Sequence, residues 1–163
     1  MHTESSTKIG KYGVFHFLDL FSATQTADFA RQIEELGYSA LWYPEAAGRN
    51  SLVQASWLLS HTKKLVVASG IANIYARDAQ STVSGRNSLN ELSDGRFLLG
   101  LGVSHAPLVE AMRGHSYDKP LTYMSNYLDK MATAVYQAPL PQTQGPTVLA
   151  ALGPKMLELA SKK

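Results

Sequence analysis

Three side chains suited to proton transfer stand within or just after short apolar runs of this sequence: His16, Glu45 and His105. Histidine titrates near neutral pH and serves as a general acid or base, and a carboxylate at a strand end can hold a proton or orient a substrate. We predict that these residues are catalytic. Each also has a structural interpretation: His16 as an internal hydrogen-bonded residue, His105 as an ordinary loop residue, and Glu45 as a charge that favours the dipole of the next helix.

A second set of residues is suited to holding a flat cofactor. The stretch from Gly100 to His105 ends an apolar run with glycines, which let backbone approach a ligand closely, and with the hydroxyl of Ser104. Asn73 can hydrogen-bond a heteroaromatic ring, and Trp42 offers a flat apolar wall. Tight helix–strand packing is the alternative explanation of the glycines, and core packing explains Trp42 equally well.

The pair Gly100 and Gly102 also resembles the start of a dinucleotide-binding fingerprint. His105 stands where the third glycine would be, and the run is the fourth strand in order, whereas that fingerprint usually opens the first unit. An open-sheet nucleotide-binding domain is therefore an alternative. No histidine and carboxylate cluster has metal-ligand spacing, and no Gly-x-Ser-x-Gly motif is present.

Short apolar runs alternate with helical patterns along the whole chain. Strands are predicted to start near residues 12, 39, 64, 96 and 147, and the longest predicted helix runs from Pro120 to about Tyr136. Asp78 is predicted to cap the third helix, with Arg77 beside it as a surface charge. This alternation predicts an α/β fold with a parallel sheet and right-handed crossovers.

The carboxyl ends of parallel strands meet on one face, which is where such folds bind ligands. Segments 16–19, 42–45, 70–73, 102–105 and 152–153 are therefore expected to converge on one site. Two architectures fit, a doubly wound open sheet and part of a (β/α)8 barrel. A complete barrel needs 200 or more residues, so residues 11–163 are predicted to form an incomplete barrel of about five βα units, after a flexible tail at residues 1–10.

Composition limits the function classes. Hydrophobic residues make up 45% of the 163 residues and charged residues 17%, with a formal net charge of +2. No basic run interleaves with aromatic residues, which predicts no nucleic-acid partner. The longest apolar run is too short to span a bilayer, and the first eleven residues lack the apolar core of a secretory signal. The sequence has no cysteine, which fits the predicted cytoplasmic location.

Segments 36–45, 69–78 and 92–102 resemble luciferase-like monooxygenases and coenzyme F420-dependent oxidoreductases. The most recognisable of them reads LSDGRFLLGLG at residues 92–102. Residues 117–136 and 147–160 resemble a deazaflavin-linked, actinobacterial branch of the same family. The order and spacing of these pieces together carry the resemblance, which covers residues 10–161.

The resemblance implies a (β/α)8 barrel that binds coenzyme F420, or alternatively FMN, at its C-terminal mouth. It implies hydride transfer to or from a small organic substrate, an alcohol or carbonyl compound, with proton transfer by His105, His16 or Glu45. It also implies a cis peptide bond after the third strand, here Gly70-Ile71, behind the cofactor ring. The resulting cofactor-binding residues are Gly70, Ile71, Asn73, Gly102, Val103, Ser104 and Trp42.

This sequence departs from the family pattern at Ala79, where relatives often have proline, and in its length. Strands six to eight of the barrel are missing, which leaves two exposed sheet edges. We therefore expect a homo-oligomer that pairs through these edges. We interpret the chain as a truncated oxidoreductase, and the alternative is a non-catalytic half-barrel that self-associates or binds a partner.

Overall fold

A computed structural model describes residue 7 and residues 9–163 of the chain. The described strands are short and alternate with helices. They are β1 (Gly13–Phe15), β2 (Ala40–Tyr43), β3 (Val66–Ser69), β4 (Ala72–Asn73), β5 (Phe97–Leu98), β6 (Gly100–Gly102) and β7 (Val148–Leu149). The helices are α1 (Ala23–Glu35), α2 (Ser51–Ser60), α3 (Ala79–Leu92), α4 (Pro120–Ala132) and α5 (Pro154–Lys162), with a π-helical turn at Leu108–Met112.

The strands form two parallel sheets that follow the order of the chain, β1-β2-β3-β5 and β4-β6-β7. Strands β3 and β4 are two parts of one strand unit, separated by the cis peptide bond Gly70-Ile71. Strands β5 and β6 are likewise separated only by Leu99. The chain therefore has five βα units, each starting within two residues of its predicted position, and the predicted partial barrel is confirmed. The open-sheet alternative is wrong, because that fold needs a reversal of strand order.

The two faces of the larger sheet differ. One face presents Leu41 and Val67 to the helices, and these side chains are fully buried. The opposite, inner face carries small residues beside aromatic ones, with Phe15 paired to Trp42 and Trp42 to Ala68. Phe15 is 54% exposed. Side chains alternate between faces along a strand, so the inner face is the one left without a helical layer.

Local signals set most helix boundaries. Ser22 caps α1 in a capping box with Gln25, Asp78 caps α3, and Pro120 is the first residue of α4. Helix α4 ends at Ala132 rather than near Tyr136. The side chain of Gln80 explains the difference, since it accepts a hydrogen bond from Val135 N and donates one to Val135 O. These contacts replace the bonds that would continue the helix.

The predicted flexible tail falls mostly outside the described residues, since residues 1–6 and 8 are not among them. Thr7 is attached to the sheet, because its hydroxyl donates to the carbonyl of Gly95 at 2.6 Å. Within the described chain, none of the helices is long and apolar enough to cross a membrane. The cytoplasmic location and the absence of nucleic-acid partners stay predictions.

Candidate functional site

A cavity of about 520 Å³ opens at the carboxyl ends of the strands. It is lined by residues from each of the five segments that were expected to converge, so this expectation is confirmed. We call it the strand-end cavity. Its lining consists of Phe17, Pro44, Glu45, Ala46, Gly70, Ile71, Gly102, Val103, Ser104, His105, Leu108, Tyr117, Ala150, Leu152, Gly153 and Met156.

The Gly70-Ile71 segment is held in the cavity wall by backbone contacts to the end of β2. Gly70 N donates to Tyr43 O at 2.7 Å, and Glu45 N donates to Ile71 O at 3.1 Å. The peptide bond between them is cis, as the family resemblance implied. The segment therefore presents Gly70 and Ile71 to the cavity in one fixed arrangement.

The glycines of β6 are required by packing between strands. A Cβ on Gly100 would overlap the carbonyl oxygen of Ser69, and one on Gly102 would lie 2.5 Å from Ile71 Cγ1. Ser69 Oγ also donates to Gly100 O at 2.9 Å. Close packing does require these glycines, but their close neighbours lie on the adjacent strand unit and not on a helix, so the helix–strand interpretation is wrong in its partner. Gly102 nevertheless lines the cavity as well.

Glu45 is buried at the edge of the cavity and fully engaged. Its carboxylate forms an ion pair with Arg77 and accepts hydrogen bonds from Ser51 N at 3.0 Å and Asn73 N at 2.8 Å. Burial alone would raise the pKa of Glu45. The Arg77 guanidinium and the two N–H groups outweigh burial and hold the pKa below its ordinary value of 4.5. Glu45 is thus an anion at neutral pH that ties α2, β4 and Arg77 together.

Arg77 corrects one interpretation of the sequence. Its side chain is only 8% exposed, so it is a buried partner of Glu45 and not a surface charge. The pattern of charges along the chain gave no sign of this pairing, because the two residues are 32 positions apart and meet only when the segment after β2 folds against the segment after β4. The adjacent Asp78 does cap α3, as predicted.

Asn73 and Trp42 are not among the residues that line the cavity. Asn73 is buried and accepts a hydrogen bond from Tyr75 N at 2.9 Å. Trp42 is half-buried on the inner face, where a Cβ on Gly70 would be 3.5 Å from Trp42 Cε3. Neither residue lines the cavity in this structure, and their predicted contact with a cofactor stays a prediction.

His16 and His105 are placed differently. The His16 ring packs against Phe21 and Phe29, with centroids 5.3 and 5.0 Å away, and its Nδ1 donates to Phe17 O at 2.6 Å. His16 does not line the cavity, which matches its internal, hydrogen-bonded interpretation. His105 is exposed and lines the cavity beside Ser104.

The backbone at Ser104 and His105 leaves the strand sharply. Ser104 has a φ of 57°, in the left-handed region that few non-glycine residues adopt. The carbonyl of His105 then accepts hydrogen bonds from Leu108 N and Val109 N, both at 3.1 Å, at the start of the π-helical turn. Such turns recur at functional sites. The sequence predicted a helical turn here but not its π form.

Several lining residues were missed by the sequence interpretation. Leu108 and Tyr117 belong to an irregular region, and Met156 lies in the first turn of α5. Their position in the sequence could have identified them, because residues in the first turn after a strand end face the same cavity as the strand end itself. Among the described residues, no three histidine, cysteine or acidic side chains gather closely enough to hold a metal ion.

Comparison with known proteins shows which family and which individual proteins this chain is similar to. The family model for luciferase-like monooxygenases matches residues 2–163. A 5,10-methylenetetrahydromethanopterin reductase from Methanolobus tindarius is 28% identical over 153 residues, which cover 83% of this chain and 47% of that protein. The chain therefore spans about half the length of this curated relative.

Two solved structures share the fold at low sequence identity. An F420-dependent secondary alcohol dehydrogenase, in complex with an F420-acetone adduct, has a TM-score of 0.81 at 15% identity and covers 94% of this chain and 56% of that one. The oxygenating constituent of 3,6-diketocamphane monooxygenase from Pseudomonas putida, in complex with FMN, has a TM-score of 0.64 at 18% identity and covers 76% and 38%. At these identities the likeness concerns the fold alone.

Proposed function

This chain belongs to the luciferase-like monooxygenase family, and on that premise we propose that it binds coenzyme F420 in the strand-end cavity. FMN is the alternative cofactor. The observation that carries the proposal is the convergence of all five strand ends on this one cavity. When bound, the cofactor ring supplies hydride transfer to or from a small organic substrate.

The cavity suits a flat ring in size and lining. Its volume of about 520 Å³ lies within the range of small-molecule sites, about 300–1,000 Å³. Gly70 and Gly102 contribute backbone to the lining, while Ile71 and Val103 add apolar surface and Ser104 adds a hydroxyl. We propose that these five residues contact the cofactor, and that Asn73 and Trp42 contribute by supporting the wall.

The three predicted catalytic residues take different roles in this proposal. His105 is the group that exchanges a proton with an alcohol or carbonyl substrate, because it lines the cavity and remains open to solvent. Glu45 positions the wall through its ion pair and its hydrogen bonds. His16 supports the end of β1 through its packing on Phe21 and Phe29.

Titration of the purified chain with F420 and with FMN, followed by absorbance, tests the proposal. We expect saturable binding of at least one of them. The variant A150W fills the cavity and should abolish binding, whereas A138W places the same side chain at an exposed position outside it and should not. The absence of binding at high micromolar concentrations, in wild type as in A150W, would refute the proposal for this chain.

A second candidate function is self-association of the half-barrel. It is favoured by the open inner face, where Phe15 and Phe17 are 54% and 60% exposed, and by β1 and β7, which each pair with one described strand only. Exposed strand edges are templates for pairing with another chain. We propose a homo-oligomer joined through these edges. Light scattering should give a mass of at least twice 17.8 kDa, and a stable monomer would contradict it.

A further inference from the structure

One hydrogen bond joins the two ends of the loop that follows β6. Tyr117 Oη donates to Ser104 O at 3.0 Å and so joins residues that are 13 positions apart. We call residues 104–117 the mouth loop, because Ser104, His105, Leu108 and Tyr117 all line the strand-end cavity. Loops of about 6–16 residues whose ends meet form compact surface units and are frequently functional.

The mouth loop is also fastened internally. His115 N donates to Val109 O at 3.1 Å, and Tyr117 N donates to Glu110 Oε1 at 3.3 Å. Val109 is fully buried, which anchors the π-helical turn in the core. These contacts hold the parts of the mouth loop in place relative to one another. The hydrogen bond between Tyr117 and Ser104 holds the last residue of the loop against its first residue.

Packing holds the Tyr117 ring in place for this contact. Its centroid lies 5.9 Å from that of Tyr75, and Tyr75 stacks on Tyr123 of α4 at 4.3 Å. Tyr75 is itself buried. Burial raises the pKa of Tyr117, so its hydroxyl keeps its proton and remains a donor at neutral pH. The Tyr117 ring therefore packs against Tyr75, while the Tyr117 hydroxyl binds the carbonyl of Ser104.

We propose that Tyr117 is a positioning residue for the candidate site: its hydroxyl holds the carbonyl of Ser104, and thereby sets the placement of Ser104 and His105 at the cavity. The hydrogen bond from Tyr117 helps to maintain the left-handed backbone conformation of Ser104. A non-glycine residue keeps that conformation only where its surroundings enforce it. The consequence for a bound cofactor rests on the function proposed above.

The variants Y117F and Y123F separate positioning from general packing. Y117F keeps the ring and removes the hydroxyl that donates to Ser104. Y123F makes the same chemical change in the same aromatic cluster, at a hydroxyl with no hydrogen bond among the described residues. Amide hydrogen exchange of Leu108 and Val109, whose N–H groups bind His105 O, reports the order of the mouth loop without any ligand.

We expect exchange at these two amides to be about fivefold faster in Y117F, the effect of losing one ordinary hydrogen bond, and unchanged in Y123F. Equal exchange rates in both variants and wild type would overturn the proposal. The melting temperatures of the two variants should agree, because a loss of general stability would raise exchange throughout the sheet instead.

A second readout is the affinity for F420, which should fall about fivefold in Y117F only. If wild type binds neither F420 nor FMN, the proposed function fails, while the exchange result still decides whether the Tyr117 hydroxyl holds Ser104 and His105 in place. If exchange changes as expected but affinity is equal in Y117F and wild type, Tyr117 orders the loop without positioning the site, and the proposal is refuted.

Discussion

The two sides of the strand-end cavity hold their ionisable groups in opposite ways. On one side, Glu45 is buried and bound by Arg77, Ser51 and Asn73. On the other side, His105 is exposed at the end of β6, and its ring has no hydrogen bond within the described part of the chain. Both were predicted as catalytic from the same pattern, an ionisable residue after an apolar run.

The difference shows that position at a strand end does not define a role. A carboxylate with three partners and a lowered pKa keeps its charge and fixes geometry. An exposed imidazole can exchange a proton with solvent or substrate. We therefore assign the two residues different functions in the proposal, and the predictions below test that assignment from the largest expected effect to the smallest.

The largest effect is expected for E45Q. Removing the charge leaves Arg77 buried without its counter-ion, which typically costs about 3–5 kcal/mol. An amide in place of the carboxylate also cannot accept all the hydrogen bonds from Ser51, Asn73 and Arg77. We expect the free energy of unfolding, measured by urea denaturation at pH 7, to fall by about this amount.

The double variant E45Q/R77M is the matched control for this measurement. Replacing both members of a buried ion pair by uncharged groups is often close to neutral, so the double variant should lose less stability than E45Q alone. A loss below about 1 kcal/mol in E45Q, well under the usual cost of a broken buried pair, would show that Glu45 does not hold the wall together.

The next effect concerns turnover and not stability. Under the proposed function, we expect turnover of a small alcohol or carbonyl substrate with F420 to slow by about 100-fold in H105Q, the lower end of the usual contribution of a general acid or base. The free energy of unfolding should change little, because His105 is exposed. The control is H61Q, in which a histidine that contacts the Trp57 ring and does not line the cavity is replaced. Turnover in H105Q within threefold of wild type contradicts the assignment.

The sequence predicted those parts of the molecule that depend on local signals. Strand starts, the cap at Asp78 and the proline at the start of α4 are determined by neighbouring residues. The convergence of five strand ends followed from the parallel topology alone. Such features need no knowledge of which side chains meet across the fold.

The features that were predicted wrongly or missed depend on contacts between residues that are distant in the sequence. Arg77 is buried because Glu45 lies beside it, and α4 ends early because Gln80 binds Val135. Likewise, Tyr117 reaches the cavity only because the mouth loop folds back on Ser104. A pattern of residue types along the chain carries none of this information. The glycine and serine near His105 favour it over His16 as a candidate, but the sequence did not show that His16 packs between aromatic rings.

The third prediction is a dependence of stability on pH. Glu45 has a lowered pKa in the folded state, so the unfolded state binds more protons at acidic pH. Its contribution is fully present above the unfolded pKa and is lost as the pH falls through the folded pKa. Below about pH 4.5, the stability of wild type should therefore fall more steeply than that of E45Q. Parallel curves in urea denaturation would refute a lowered pKa for Glu45.

The smallest effect is expected for H16Q, which tests whether His16 belongs with Glu45 or with His105. The substitution removes the aromatic contacts to Phe21 and Phe29, and such contacts are worth about 0.5–1.5 kcal/mol. We expect stability to fall by that amount in urea denaturation, while turnover with F420 stays within about twofold of wild type, because general acid–base catalysis requires the group to lie within reach of the reacting atoms. A loss of turnover comparable to that in H105Q would instead mean that the imidazole leaves its aromatic contacts when substrate binds. In that case the end of β1, and not the end of β6 alone, would supply the proton.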